Sequence, residues 1–184
     1  MRIVELAEIE AVLDEDAALA AIEDGFRRMQ RRGGVQLGEV VHLAFEDPPG
    51  DCHVKGGHIT GDDVFVFKFA TSFYRNPALG LSSSNGFMIV VSARTGEQLA
   101  MLRDQGYLTD MRTALAGAIS ARAILRPSSR VLGIVGTGIQ ARMQARMIRR
   151  LLGLEDVLVH GRSMDKAEAL AAEIGGRGVA LPEL

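Results

Sequence analysis

The 184-residue sequence predicts an α/β chain in two parts, an antiparallel α+β domain followed by a parallel, doubly wound sheet that is incomplete in this chain. Three observations carry that prediction. Five β-rich runs between residues 39 and 103 follow one another across hairpin-length turns, the pattern of an antiparallel sheet. After residue 127 the order becomes strand, helix, strand, helix and the start of a third strand, which is how parallel sheets alternate. Between them, "LTDMRTALAGAISARAILRP" is rich in helix formers and links the two architectures. The expected division is 1–126, including the linking helix, and 127–184.

In chain order, "DEDAALAAIEDGFRRMQRR" from Asp14 to Arg32 places Leu19, Ile22, Phe26 and Met29 at helical spacing. Acids stand at its start, bases at its end, and Gly33-Gly34 stops it. The five runs are "EVVHLAF", "CHVKGGHI", "DVFVFKFATSF", "NGFMIVVSA" and "EQLAMLR". Turn chemistry separates them at Asp47-Pro48-Pro49-Gly50, Gly61-Asp62-Asp63 and Thr95-Gly96. The linking helix has Thr109 as its expected cap and ends where Pro127 cannot continue it. Beyond it the expected elements are a strand at 131–135, a helix at about 138–151, a strand at 157–160, a helix at about 164–174, and "GVAL" opening a third strand.

Composition bounds the function. Apolar residues make up 47% of the chain, enough for an ordinary core, and a net charge of −2 with intermixed signs gathers neither nucleic acid nor anionic membrane. Glu5, Glu8 and Glu10 break any apolar stretch near the N-terminus, so no signal or targeting segment is expected there, and "GFMIVV" is far too short to span a bilayer. Cys52 is the single cysteine, which fits a reducing compartment and gives a cytoplasmic expectation.

"GIVGTGIQA" supplies Gly136-x-Gly138-x-x-Ala141 between an apolar strand and a helix, the dinucleotide fingerprint of a Rossmann-type fold. Gly136 permits the tight turn, Gly138 lets backbone approach a pyrophosphate, and Ala141 keeps helix and strand close. The helix N-terminus then offers unpaired N–H groups to phosphate. An acid at the tip of the second strand ordinarily takes the ribose hydroxyls of NAD. Here that tip is His160-Gly161-Arg162-Ser163. Gly161 leaves space, Arg162 can pair with a 2′-phosphate, and Ser163 can cap the helix and donate to phosphate, so NADP(H) is preferred and NAD(H) stays the alternative.

The pairing of "GYLTDMRTALAGAISARAILRP" with "VLGIVGTGIQARMQ", preceded by "HVKGGHITGDDVFVFKFATSFYRNPALGLSSSNGFMIVVSARTGEQLAML", resembles the ornithine cyclodeaminase/mu-crystallin family over nearly the whole chain. The resemblance implies a homodimer whose antiparallel substrate-binding and dimerisation domain packs against a Rossmann domain. It also implies hydride transfer between a nicotinamide and the α-carbon of a small amino or cyclic imino acid, by a cyclodeaminase or an imine reductase. By motif, Lys68 would meet the substrate near its carboxylate, and Arg112 would grip that carboxylate and border the nicotinamide. Both roles suit the chemistry, since a guanidinium binds a carboxylate with two parallel bonds and a partly desolvated lysine holds charge beside the reacting carbon. Ser83, Thr113, Ile139, Gln140, Arg162 and Ser163 match cofactor-contact positions.

Two departures accompany the resemblance. Ornithine cyclodeaminase has a further substrate arginine, yet this sequence has none between Arg32 and Arg75, where Lys55 is the candidate substitute. The family's acid/base aspartate is expected beyond Leu184. Two alternatives therefore stay open: a non-catalytic NADP(H)-binding protein of the mu-crystallin type, and an inactive truncated product. Elsewhere the residues read blandly. His53 and His58 fall on opposite strand faces without a third ligand, so no metal is expected. Arg142, Arg146, Arg149 and Arg150 read as a solvated helix face, and Ser82-Ser83-Ser84 lacks a nucleophile elbow.

Overall fold

The computed structural model describes all 184 residues, which gather into two compact units, Met1–Thr109 and Asp110–Leu184. The first is built on a mixed seven-stranded sheet. Its strands are β1 (Arg2–Glu5), β2 (Val35–Leu37), β3 (Val41–Phe45), β4 (Gly50–Ile59), β5 (Val64–Phe73), β6 (Ser84–Ser92) and β7 (Gln98–Arg103). Their order is β1-β7-β6-β5-β4-β2, with β3 also paired to β4. β3 to β7 are the five expected runs, each antiparallel to the next.

Two strands extend that prediction. β1 lies parallel to β7, Arg2 opposite Ala100, and β2 lies antiparallel to the end of β4, Val35 opposite Ile59. Two helices, α1 (Leu6–Val12) and α2 (Glu15–Met29), follow β1. α2 starts as its sequence requires, with Asp14 Oδ1 accepting from the Ala17 N–H at 2.7 Å. Ion pairs from Arg27 to Glu23 and from Arg28 to Asp24 brace its outer face. Its apolar side is only half covered, and Phe26 and Met29 remain exposed.

Side chains alternate across the sheet, and directly opposed residues share a face. One face carries Phe45, Phe65, Phe67, Phe69, Phe73 and Phe87. Phe69 stacks on Phe87 with ring centroids 4.6 Å apart, and Phe45 tilts against Phe73 at 5.4 Å. The other face carries Asp51, His53 and Lys55 from β4 and Lys68, Ala70 and Ser72 from β5. There His53 stacks on His42 of β3 at 4.4 Å. His58, on the aromatic face, bonds the Asp62 carbonyl through Nε2.

The second unit contains most of α3 (Tyr107–Ile124), then β8 (Val131–Val135), α4 (Ile139–Leu152), β9 (Asp156–His160), α5 (Met164–Ile174) and the short β10 (Arg177–Gly178). Its strands are parallel in the order β10-β9-β8, which is the 3-2-1 order of one mononucleotide-binding half of a Rossmann sheet. The core joins Ile134, Val157 and Val159 to Ala145 of α4 and to Ala167, Leu170, Ala171 and Ile174 of α5. Ala141 packs against it, the close helix–strand approach expected from the third position of the glycine motif.

Three details differ from the sequence expectations. The linking helix starts at Tyr107, so Thr109 lies inside it and Asp104 does the capping. The fully buried Asp104 accepts from the Leu108 N–H through Oδ2 at 2.9 Å, beyond a turn in which Gln105 (φ 53°) and Gly106 (φ 88°) are left-handed. Second, the compact units divide at 109/110, whereas the expected division followed residue 126. The reason is that α3 is fastened to α4: Gln140 Nε2 donates to Asp110 Oδ1 at 2.8 Å, and a Cβ at Gly117 would stand 2.5 Å from Gln144 Oε1. Third, the arginines of α4 are not uniformly solvated. Arg142 pairs with Glu173 at 2.7 Å, and the half-buried Arg149 donates to the Ile174 carbonyl at 2.5 Å, closing the end of α5. No helix is long and apolar enough to cross a membrane.

Candidate functional site

In the second unit a cleft of about 630 Å³ opens at the C-terminal ends of β8 and β9, where open α/β sheets bind ligands. Its walls include Gly136, Thr137 and Gly138 from the β8–α4 turn, and Arg162, Ser163 and Lys166 from the start of α5. Gly136 has φ +116°, a conformation closed to other L-residues without strain. A Cβ on Gly136 or Gly138 would meet nothing within 4 Å, so the backbone is bare toward the opening.

The start of α4 is electrostatically unlike those of α2 and α5. α2 has the Asp14 cap with Glu15 and Asp16 behind it, and α5 has the Ser163 cap with Asp165. α4 starts at Gly138 with no side-chain cap and no acid in its first turn. Its first N–H groups and the positive end of its dipole are therefore left to an anion. The cleft walls hold no carboxylate, while Arg162 and Lys166 are exposed cations.

The two loops lining the cleft are locked together. The Gly136 N–H donates to the His160 carbonyl at 2.8 Å. The His160 ring bonds the Val179 carbonyl through Nδ1 at 3.1 Å; because a carbonyl only accepts, Nδ1 carries the proton. Gly161 has a packing role that the sequence does not disclose. A Cβ there would stand 2.7 Å from Thr137 Cγ2, so the expected free space is filled by the threonine methyl. Ser163 Oγ accepts from the Lys166 N–H at 3.4 Å, which makes it the helix cap.

Of the expected cofactor residues, Gly136, Gly138, Arg162 and Ser163 surround this cleft. Ile139 and Gln140 form the first turn of α4, offering backbone N–H groups, while the Gln140 side chain is turned to Asp110. Arg112 and Thr113 follow Asp110 on α3, so this clamp sets where they stand relative to the phosphate turn; Arg112 is exposed. Lys166, four residues after Arg162, was missed in the sequence; its position in the first turn of a helix that starts beside the cleft was the available signal.

In the first unit, Lys68 sits half-buried on β5, with strands on both sides, so the common account of a strand lysine blunting a sheet edge does not apply. Ser83 is exposed on the loop before β6, where its carbonyl accepts from the Phe73 N–H at 2.8 Å.

The ornithine cyclodeaminase/mu-crystallin family profile matches residues 1–181. The chain belongs to that family. Among curated relatives, an uncharacterized cyclodeaminase of Sinorhizobium fredii is 35% identical over 175 residues, covering 95% of this chain and 53% of that one. The alanine dehydrogenase of Archaeoglobus fulgidus is 32% identical over 172 residues, covering 94% and 52%. Among solved structures, an archaeal alanine dehydrogenase dimer with bound NAD superimposes with a TM-score of 0.90 at 28% identity, covering 100% of this chain and 57% of that one. The iminosuccinate reductase of Paracoccus denitrificans in complex with NAD+ gives 0.82 at 27%, covering 98% and 57%. The chain thus spans about half the length of the curated relatives it matches.

Proposed function

We propose that this chain supplies the cofactor cradle and the substrate-facing sheet of a nicotinamide-dependent enzyme acting at the α-carbon of a small amino or cyclic imino acid, as an imine reductase or a cyclodeaminase. The observation that carries this reading is the cleft at the uncapped start of α4, with bare glycine backbone on one wall and Arg162 and Lys166 on the other. Proteins similar to this chain include Δ1-pyrroline-2-carboxylate reductases and an iminosuccinate reductase, which support the reaction class.

The residues fit a dinucleotide. Gly136 and Gly138 admit a pyrophosphate to the first N–H groups of α4, those of Ile139 and Gln140 among them. Arg162 and Lys166 would hold a 2′-phosphate, which favours NADP(H) over NAD(H), and the Ser163 hydroxyl is close enough in sequence to join them. When bound, the nicotinamide supplies or accepts the hydride. Lys68 and Arg112 would neutralise and orient the substrate carboxylate, and Ser83 and Thr113 would border the cofactor. Cys52 is a free thiol, and a reducing cytoplasm is the compartment we infer.

Reduction of cyclic and acyclic α-imino acids by the protein, followed as loss of NADPH absorbance, is expected. Absence of turnover with all of them, together with no ammonia release from diamino acids, would refute the reading. The same proposal includes a homodimer, because Leu43, Phe45 and Phe67 leave an aromatic sheet face exposed. Sedimentation velocity is expected to show two copies, and Phe67→Glu is expected to shift the population to one. A wild-type monomer at micromolar concentration would contradict it.

A further inference from the structure

Thr137 stands between the two glycines of the β8–α4 turn, half-buried in the wall of the cofactor cleft. Through it that turn meets the tip of β9. A Cβ on Gly161 would come 2.7 Å from Thr137 Cγ2, so the threonine methyl fills the space from which a side chain at this tip would start. In sheets of this kind the tip is where an acid projects to take the ribose hydroxyls of NAD. A carboxylate side chain cannot start at 161 without displacing the methyl, and no other residue of the cleft walls supplies one.

The same contact governs the hydroxyl. Threonine is branched at Cβ and stiff at χ1, so seating the methyl on Gly161 also fixes where Oγ1 stands. Oγ1 makes no hydrogen bond within the chain, although it belongs to a half-buried residue of the cleft. The two loops are held together by the Gly136 N–H donating to the His160 carbonyl at 2.8 Å, which keeps Thr137 beside the tip that carries Arg162 and Ser163. A fixed hydroxyl donor is thus placed among cations, with no acceptor of its own.

We infer that Thr137 is a cofactor-specificity residue: its methyl excludes an acid from the tip of β9, and its hydroxyl donates to the 2′-phosphate of NADP(H) alongside Arg162 and Lys166. This deepens the NADP(H) preference proposed above and rests on it. A phosphate oxygen is charged and accepts a bond about twice as strong as a neutral hydroxyl does, so one donor contributes more to NADP(H) than to NAD(H). Cofactor choice is then divided between two loops. A single exchange at the tip does not reverse it.

Thr137→Val keeps the branching and the methyl contact and removes only the hydroxyl. Titrated into the 184-residue chain, NADPH and adenosine 2′,5′-bisphosphate are each expected to bind about tenfold more weakly to this variant than to the wild type. NADH and adenosine 5′-monophosphate are expected to change by less than about threefold. Gly161→Asp alone is expected to weaken NADPH and to gain nothing for NADH, whereas Gly161→Asp combined with Thr137→Ala is expected to bind NADH better than NADPH. Equal losses of NADPH and NADH in Thr137→Val would assign the hydroxyl to the pyrophosphate and overturn its role, as would no loss of either. A gain for NADH in Gly161→Asp alone would overturn the exclusion by the methyl. Absence of hydride transfer to every imino acid would instead overturn the proposed reaction and leave these affinities standing.

Discussion

Replacing Arg162 and Lys166 together with alanine is expected to raise the Kd for NADPH about 100-fold and to change that for NADH by less than about threefold. Both side chains reach the cleft from the start of α5, and no acid lines its walls. A hydrogen bond to a charged group is worth about 1.5–3 kcal/mol, and exposure puts each of these at the lower end, or about tenfold apiece. NADH has no 2′-phosphate, so it has nothing to lose there. Each single variant is expected to show about a tenfold loss. Fluorescence titration of both cofactors against the wild type and the three variants is the measurement. Equal losses for NADH and NADPH would show that the two cations serve the pyrophosphate or the fold, and the NADP(H) preference would fall with them.

Gly161→Ala is expected to lower stability by about 1–3 kcal/mol and to weaken NADH and NADPH alike, at least tenfold. The added Cβ would come 2.7 Å from Thr137 Cγ2. Threonine is stiff at χ1, so its methyl cannot swing aside cheaply, and the displacement passes into the turn between Gly136 and Gly138. Thr137→Ser removes that methyl and keeps the hydroxyl. In the Gly161→Ala background it is expected to restore most of both losses, while alone it is close to neutral. A thermal melt and a cofactor titration of the four proteins close the double-mutant cycle. Additive losses, with no rescue, would mean that the two loops are not coupled through this contact.

The parts of this chain that were readable from sequence are those whose signal is local. The alternation of β8, α4, β9 and α5, the glycine turn and the Ser163 cap each declare themselves within a few residues, and the structure has them as expected. β1 was not readable because its partner is far away: four residues show too little periodicity, and Arg2 meets Ala100 across most of the first unit. The Asp104 cap was hidden by a competing local candidate. Thr109 suits a cap by residue type, but the left-handed turn at Gln105 and Gly106 allows the helix to start earlier.

At the candidate site the boundary between legible and hidden is the same. Arg162 and Ser163 follow the motif, whereas the contact of Gly161 with Thr137 requires two loops to meet. The opposition of Lys55 and Lys68 is an intermediate case. It follows from the strand register once the tight turn after Ile59, where the Asp62 N–H bonds the Ile59 carbonyl at 3.0 Å, is placed correctly. A one-residue slip in that turn would send the two side chains to different faces.

Because Lys68 stands on a strand hydrogen-bonded along both flanks, its backbone is fixed in height, and remodelled loops elsewhere leave its charge where it is. Insertions and deletions in this unit are thereby confined to the turns between strands, which can change length without moving the lysine.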